Sequence, residues 1–348
     1  MRIAQVAPLF EAVPPQLYGG TERVVSHLTE ELVRRGHDVT LFASGDSQTK
    51  ASLVPIVPRA RRLGAANRDL MLVDLIRELD SAFARSAEFD VVHCHVDYLA
   101  FPFGNLVKTP TVHTLHGRQD LDFQPALYRH FDGTPLVSIS NAQRKPLRGL
   151  ELSWAGTVYH GLPLEGYPFA AEDRGYLAFL GRVAPEKQPD MAVEIARRAG
   201  IPLKIAAKVD DADREYFERV VAPLLDDPLV DFVGEINDAD KVAFLGGARG
   251  LLFPIDWPEP FGLVMIEAMA CGTPVIARPC GSVPEVVAPG RTGFVAETLD
   301  ELADAVKRLD QIDRAECRAH VERHFTVSHM ADGYEKIYRK LGGLRRAA

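Results

Sequence analysis

Short apolar runs and longer amphipathic runs alternate along the chain. The short runs, at 2–7, 39–43, 90–95, 111–117, 176–180, 203–207, 229–233, 250–254 and 275–277, are bounded by turn residues and read as buried strands. Between them, apolar residues recur at helical spacing over 21–35, 69–86, 189–199, 213–225, 238–246, 261–270, 299–309, 315–324 and 327–341. Val24, Val25, Leu28, Leu32 and Val33 should form the buried face of the first helix, with Thr21 as its N-cap. Leu72, Leu75, Ile76 and Leu79 should do the same in the second. Strand and helix alternate in both halves, which predicts an α/β protein with parallel sheets. The stretch 161–173, with Pro163 and Pro168, is the expected linker. The domains expected are 1–165 and 166–326.

Composition narrows the functional classes. With 348 residues, 47% of them hydrophobic, the chain has ample core for two domains. Its net charge of −8 argues against nonspecific nucleic-acid binding, and peripheral membrane contact is not indicated. No apolar run approaches the roughly 20 residues of a membrane span. The first residues enter a strand without a leader-like pattern, and Cys94, Cys271, Cys280 and Cys317 show no paired spacing. A cytoplasmic protein with reduced thiols is the expectation.

The stretch 258–277, PEPFGLVMIEAMACGTPVIA, concentrates the candidate chemistry. Glu259 lies between two prolines. A helix expected over 261–270 carries Glu267 in an otherwise apolar segment, where a charge is costly without a partner or ligand. The backbone N–H groups of Phe261, Gly262 and Leu263 at the helix start suit a phosphate. Glu267 follows roughly 9–12 Å along the helix, a spacing that suits chelation of ribose hydroxyls. The spacing alone fits an ordinary βα unit with one solvated glutamate equally well.

Other candidates lie at strand ends, where open α/β sheets bind ligands. The loop 8–20 is long and proline-rich and ends in Gly19-Gly20, without the GxGxxG spacing of a dinucleotide site. His93, Cys94 and His95 share a strand, but Cys94 faces away from both histidines, so they cannot hold one metal. His116 closes the strand beginning at Thr111, just before Gly117, while His113 should be buried. Arg182 and Lys187 follow a strand and could grip phosphate oxygens as a fork and a point charge. Arg59, Arg61 and Arg62 read as a solvated basic loop, with contact to an anionic acceptor or a membrane surface as the alternative.

Glu259-x7-Glu267, in its PFGLVMIEAMACGTPVIA setting, resembles the signature of the retaining glycosyltransferases of family 4, which have the GT-B fold. Companion motifs extend the resemblance along nearly the whole chain, among them strands expected at 136–141 and 157–161. It implies two Rossmann-like domains facing a central cleft, the first completed by the last helix at about 327–348, with the nucleotide-sugar donor mainly on the second. It also implies that Gly19 and Gly20 lie beside the donor diphosphate, that His116 hydrogen-bonds the donor sugar or phosphate, and that Arg182 and Lys187 clamp the diphosphate. Phe261, Gly262 and Leu263 would assist that clamp. Glu267 would hold the ribose, Glu259 the sugar hydroxyls, and backbone around Ile236 the nucleobase. Two positions depart from the family pattern: Gln188 and Cys280 stand where glycine is usual. The activity implied is hexosyl transfer to an acceptor hydroxyl with retention, needing no cofactor and no metal, with UDP-glucose the first donor to consider. A double displacement with Glu259 as nucleophile also fits. The alternatives are a sugar phosphorylase, a noncatalytic nucleotide-sugar binding protein, or a nucleotide-sugar epimerase, against which the Glu259-x7-Glu267 frame argues. The loops at 16–18 and 45–66 that should meet the acceptor carry no readable code. A monomer or homodimer is expected.

Overall fold

The computed structural model describes residues 1–17, 19–63 and 68–346. The chain forms two compact units, one from residues 1–161 with the C-terminal helix Val327–Arg346, the other Leu162–Thr326. The break falls at Leu162 because its N–H donates to the Phe325 carbonyl (2.8 Å) and its side chain is fully buried. Tyr18, part of residues 45–66 (64–66) and the last two residues of the basic tail lie outside the described residues.

The first unit holds strands β1 (Arg2–Val6), β2 (Asp38–Ser44), β3 (Ser52–Val57), β4 (Val91–Cys94), β5 (Thr111–Thr114), β6 (Leu136–Ser138) and β7 (Trp154–Thr157). They form one parallel sheet in the order β3-β2-β1-β4-β5-β6-β7. The order reverses between β1 and β4. Helix α1 (Gly20–Arg34) and helix α2 (Arg68–Ala84) follow β1 and β3. Alternate strand residues feed two layers of core. Ala4, Val6, Phe42 and Val92 pack with Leu79 and Phe83, whereas Leu41 and Ala43 pack with Val25 and Val13.

Several expectations change here. β3 was not foreseen; its SLVPIV sequence carries an internal proline, which an edge strand tolerates. The strand expected at 157–161 is instead Trp154–Thr157, in register with β6. Helix α1 begins at Gly20, one residue before the expected Thr21 cap. Leu72 and Ile76 are half-exposed; only Leu75 and Leu79 join the core. The basic loop is not simply solvated: Arg61 pairs with Asp74 (2.6 Å) and Arg62 with Glu11 (2.6 Å).

The second unit repeats the plan. Strands β8 (Tyr176–Arg182), β9 (Leu203–Lys208), β10 (Val230–Phe232), β11 (Ala248–Phe253), β12 (Val275–Ala277) and β13 (Gly293–Val295) form a parallel sheet ordered β10-β9-β8-β11-β12-β13. The order reverses between β8 and β11. Helices α3 (Pro189–Ala199), α4 (Asp238–Gly246), α5 (Leu263–Ala270), α6 (Leu299–Lys307) and α7 (Arg314–His324) are its longer helices. Thr298 and Glu301 form a reciprocal capping box that starts α6. The continuous helix expected over 213–225 is broken into short α, π and 3-10 turns. Pro223, which lacks an N–H, lies in the last of these turns.

Candidate active site

In open α/β sheets, ligands bind beyond the carboxyl ends of strands where the strand order reverses. In the second unit that point lies between β8 and β11. Arg182 ends β8, the loop after it carries Lys187, and the loop after β11 carries Glu259. Backbone joins the two loops, since Asp256 N–H donates to the Glu186 carbonyl at 2.9 Å.

The structure brings Lys187 and Glu259 into direct contact, Nζ to Oε2. Trp257 completes the group. Its indole N–H donates to Glu259 Oε2 (3.0 Å), and its ring lies 4.5 Å from Lys187 Nζ. Glu259 is only 9% exposed, so this pairing compensates most of its lost hydration. Arg182 stands apart from that pair. Its Nη2 donates to Glu186 (2.5 Å) and its Nη1 to Asp213 (2.8 Å). Among the described residues its Nε has no partner, leaving an N–H donor for an incoming anion. Gln188 adopts the left-handed conformation, φ 53° and ψ 55°, which explains why glycine suits this turn.

Helix α5 starts at Leu263, two residues later than expected, because Gly262 takes φ +78° and cannot be helical. The turn at Gly281-Ser282 holds the preceding loop. Ser282 N–H donates to the Glu259 carbonyl (3.0 Å), and Ser282 Oγ–H to the Phe261 carbonyl (2.7 Å). A Cβ on Gly281 would overlap the Glu259 backbone, so only glycine permits this approach.

Glu267 is 4% exposed and accepts from Lys241 Nζ (2.6 Å) and Tyr167 Oη (3.1 Å), both on Oε1. The partner that an apolar helix demands for its one charge is therefore supplied within this unit. Ile236 lies in the loop after β10 and is half-buried; Asn237 next to it caps α4 by accepting from Asp240 N–H (3.0 Å).

In the first unit the strand order reverses between β1 and β4. Gly19 precedes α1 in extended backbone, packed so that a Cβ would sit 2.7 Å from Pro15 Cβ; Gly20 is the first helical residue. Glu22, in the first turn of α1, is buried, and burial pushes its carboxyl up to about 7. His116, just past β5, places Nε2 2.9 Å from His95 Nδ1 and stacks on His160 with ring centres 5.5 Å apart. Burial pushes its imidazole down to about 3, so it is neutral. The backbone N–H of His116 donates to Asp97 Oδ1 (3.1 Å), and Asp97 itself has φ +48°. Strained backbone at a strand end is a mark of a functional loop. His93 is structural, bonded to Tyr338 and Thr114, and His113 is buried beneath Phe101. His95 is buried too, not open to ligand directly. Among the described residues no three His, Cys, Asp or Glu side chains are grouped to hold a metal, and no helix is long and apolar enough to cross a membrane.

Two family models match consecutive parts of the chain: Glycosyltransferase Family 4 over residues 18–164 and Glycosyl transferases group 1 over residues 168–322. The chain belongs to glycosyltransferase family 4. The enzyme is similar to a glycogen synthase of Mycobacterium tuberculosis, 28% identical with 90% of this chain and 88% of the relative aligned. Among solved structures it is similar to the sucrose-phosphate synthase of Thermosynechococcus elongatus, with a TM-score of 0.82, 20% identity and 99% of each chain covered. It is also similar to Anabaena Alr3699/HepE in complex with UDP and glucose, with a TM-score of 0.75, 17% identity, and 98% and 100% of the chains covered. At these identities the structural likeness is one of fold: GT-B, two parallel-sheet α/β domains.

Sequence reasoning on this glycosyltransferase missed Lys241, Tyr167, Trp257, Asp97 and the Gly281-Ser282 turn. Trp257, two residues before Glu259, could have been read from its position. Lys241 and Tyr167 could not, because they reach Glu267 from 26 and 100 residues away.

Proposed function

We propose that this glycosyltransferase moves a hexosyl group from a nucleotide diphosphosugar to an acceptor hydroxyl with retention at the anomeric carbon. The observation that carries the reading is the Lys187–Glu259–Trp257 group at the point where the second sheet reverses order. Lys187 exchanges part of its contact with Glu259 for a phosphate oxygen of the donor. Arg182, held by Glu186 and Asp213, donates its Nε–H to the same diphosphate. Both cations oppose the negative charge that builds on the leaving group as the bond from anomeric carbon to phosphate oxygen breaks. With that charge supplied by side chains, the reaction requires no divalent ion. Glu259 holds sugar hydroxyls and favours the cationic character of the sugar. The acceptor oxygen bonds to the anomeric carbon on the same face, and its proton passes to the leaving phosphate. Glu267, paired with Lys241, binds the ribose hydroxyls, and backbone near Ile236 meets the base.

UDP-glucose is the donor we test first, supported by the fold likeness to a protein solved with UDP and glucose. A thermal-shift panel of UDP, GDP, ADP and dTDP with their sugars, with and without EDTA, identifies the nucleotide. A ligand at 100 times its Kd adds about 2.7 kcal/mol to stability. One nucleotide standing out regardless of EDTA is expected. A response to phosphate or sugar phosphate alone would replace the reading with a phosphorylase. Lys187→Ala and Glu259→Ala should lose most turnover, and Glu267→Ala should mainly weaken donor binding. Near-normal rates in the first two would sink the assignment.

A further inference from the structure

Three loops at the carboxyl edge of the second sheet meet at one residue. Asp256 lies in the loop after β11, shortly before Glu259. Its backbone N–H donates to the Glu186 carbonyl (2.9 Å), next to Lys187 in the loop after β8. Its Oδ1 pairs with Nη1 of Arg278 (2.8 Å), the first residue after β12. Its Oδ2 lies 3.5 Å from Gln188 Nε2, at the outer limit of a hydrogen bond, so that contact adds little.

The pair with Arg278 closes a ring. Arg278 opens a tight turn, in which Cys280 N–H donates to the Arg278 carbonyl (2.7 Å). The far end of that turn is Ser282, which holds the Glu259 and Phe261 carbonyls. The segments 256–261 and 278–282 are therefore fastened to each other at both ends. Pro258 and Pro260 lock φ on either side of Glu259, so the strip between the two fastenings has few soft torsions. A shift at Asp256 is passed on to Trp257 and Glu259 rather than absorbed.

Stability alone does not account for this pair. The Asp256 side chain is 54% exposed and that of Arg278 22%, and an ion pair so open to water contributes little. Yet Arg278 Nε is buried without an acceptor among the described residues, a desolvated donor that is costly to keep. Among those residues Asp256 is the carboxylate that holds the guanidinium in place.

We propose that Asp256 and Arg278 are positioning residues, whose ion pair braces the loops after β8, β11 and β12 so that Glu259 stays in contact with Lys187 and Trp257. The kinetic test of this brace rests on the proposed roles of Lys187 and Glu259; the spectroscopic test does not.

Trp257 reports the state of the group, because its indole N–H is bonded to Glu259 and its ring lies against Lys187. The chain has two tryptophans, so Trp154→Phe leaves Trp257 as the single emitter in the full chain. In that parent, Asp256→Ala and Arg278→Met should each shift the emission to the red and make it easier to quench with acrylamide, with little change in melting temperature. Turnover should fall roughly tenfold to a hundredfold, because small displacements of reacting groups are costly in rate. The double variant should lose no more than either single one, since both break the same link. Arg278→Lys, which keeps the cation, should recover part of both signals. Parent-like emission in the folded Asp256→Ala and Arg278→Met variants would overturn the brace. So would a lower melting temperature with emission and turnover both unchanged, the mark of a merely stabilising pair. Additive losses in the double variant would overturn it too, because the two side chains would then act separately. A parent with no transferase turnover on any acceptor would count against the proposed function, while the Trp257 emission would still decide the brace.

Discussion

Replacing Lys241 with methionine would leave the Glu267 carboxylate buried without the cation now 2.6 Å away. Breaking a buried pair in this way costs about 3–5 kcal/mol, and denaturant unfolding of Lys241→Met should show a loss of that order. Glu267→Gln should cost much less in the Lys241→Met background than in wild type; simple additivity would mean the two side chains are not coupled. Gln188 offers the opposite test. A non-glycine residue in the left-handed region is strained by about 1–2 kcal/mol, and glycine returns part of that in backbone entropy. Gln188→Gly should therefore raise stability by roughly 0.5–1 kcal/mol while leaving Lys187 on Glu259 and turnover unchanged. At this scale the sequence named charges but not their partners. That Glu267 needed compensation was legible from its apolar neighbours. That Lys241 and Tyr167 provide it was not, since nothing local distinguishes them.

Among elements, the loop between β11 and α5 depends on a turn that lies after β12. Gly281→Ala would drive a methyl into the Glu259 backbone. It should displace Glu259 from Lys187 and abolish most turnover even where circular dichroism stays native. Retained activity would show that the turn can shift without moving Glu259. Helix α5 itself is buried on nearly all sides, and its apolar sequence announced this. Its start was misplaced because Gly262 looks like any helix-start glycine until its φ of +78° is seen. The edge strands β3 and β13 were illegible for a related reason. Edge strands pair on one side only and tolerate proline and glycine, so their sequences carry weak strand signals.

Over the whole molecule, the first unit is completed by sequence from the far end of the chain. Arg35 pairs with Asp332 (2.6 Å) and Glu335 (3.2 Å), and Tyr334 and Tyr338 are buried against His93 of the first sheet. Truncation after Thr326 should lower the melting temperature of the first unit and expose its core to dye binding. Stability should also depend on pH through Glu22. Its folded carboxyl titrates at about 7 against 4.5 unfolded, because burial disfavours the anion. The folded state then holds more protons than the unfolded between those values. The stability due to this group is complete below pH 4.5 and is lost as pH rises through about 7. Its size is on the order of 3 kcal/mol. Glu22→Gln should flatten that part of the pH–stability curve; an unchanged slope would place the titration elsewhere. Glu78, fully buried in the first core with its carboxyl raised well above 4.5 by burial, adds a contribution of the same sign.

By itself the sequence determined the alternation of strands and helices, the parallel sheets, and the identity of Glu259, Glu267, Arg182, Lys187 and His116 as the residues to follow. The alternation follows from local periodicity and punctuation by glycine and proline, whereas the five residues stood out through strand-end position, charge in apolar surroundings and the resemblance of their motifs. Only the tertiary structure decided that Lys187 rests on Glu259 and Trp257, and that Arg182 is shared between Glu186 and Asp213. It alone decided that His116 is tied through His95 to Gln5 and onward to the C-terminal helix. Apart from Glu186, four residues from Arg182, such partners are separated by tens to hundreds of residues. Burial makes their hydrogen bonds obligatory, but which groups meet depends on the strand order that the folded sheets impose.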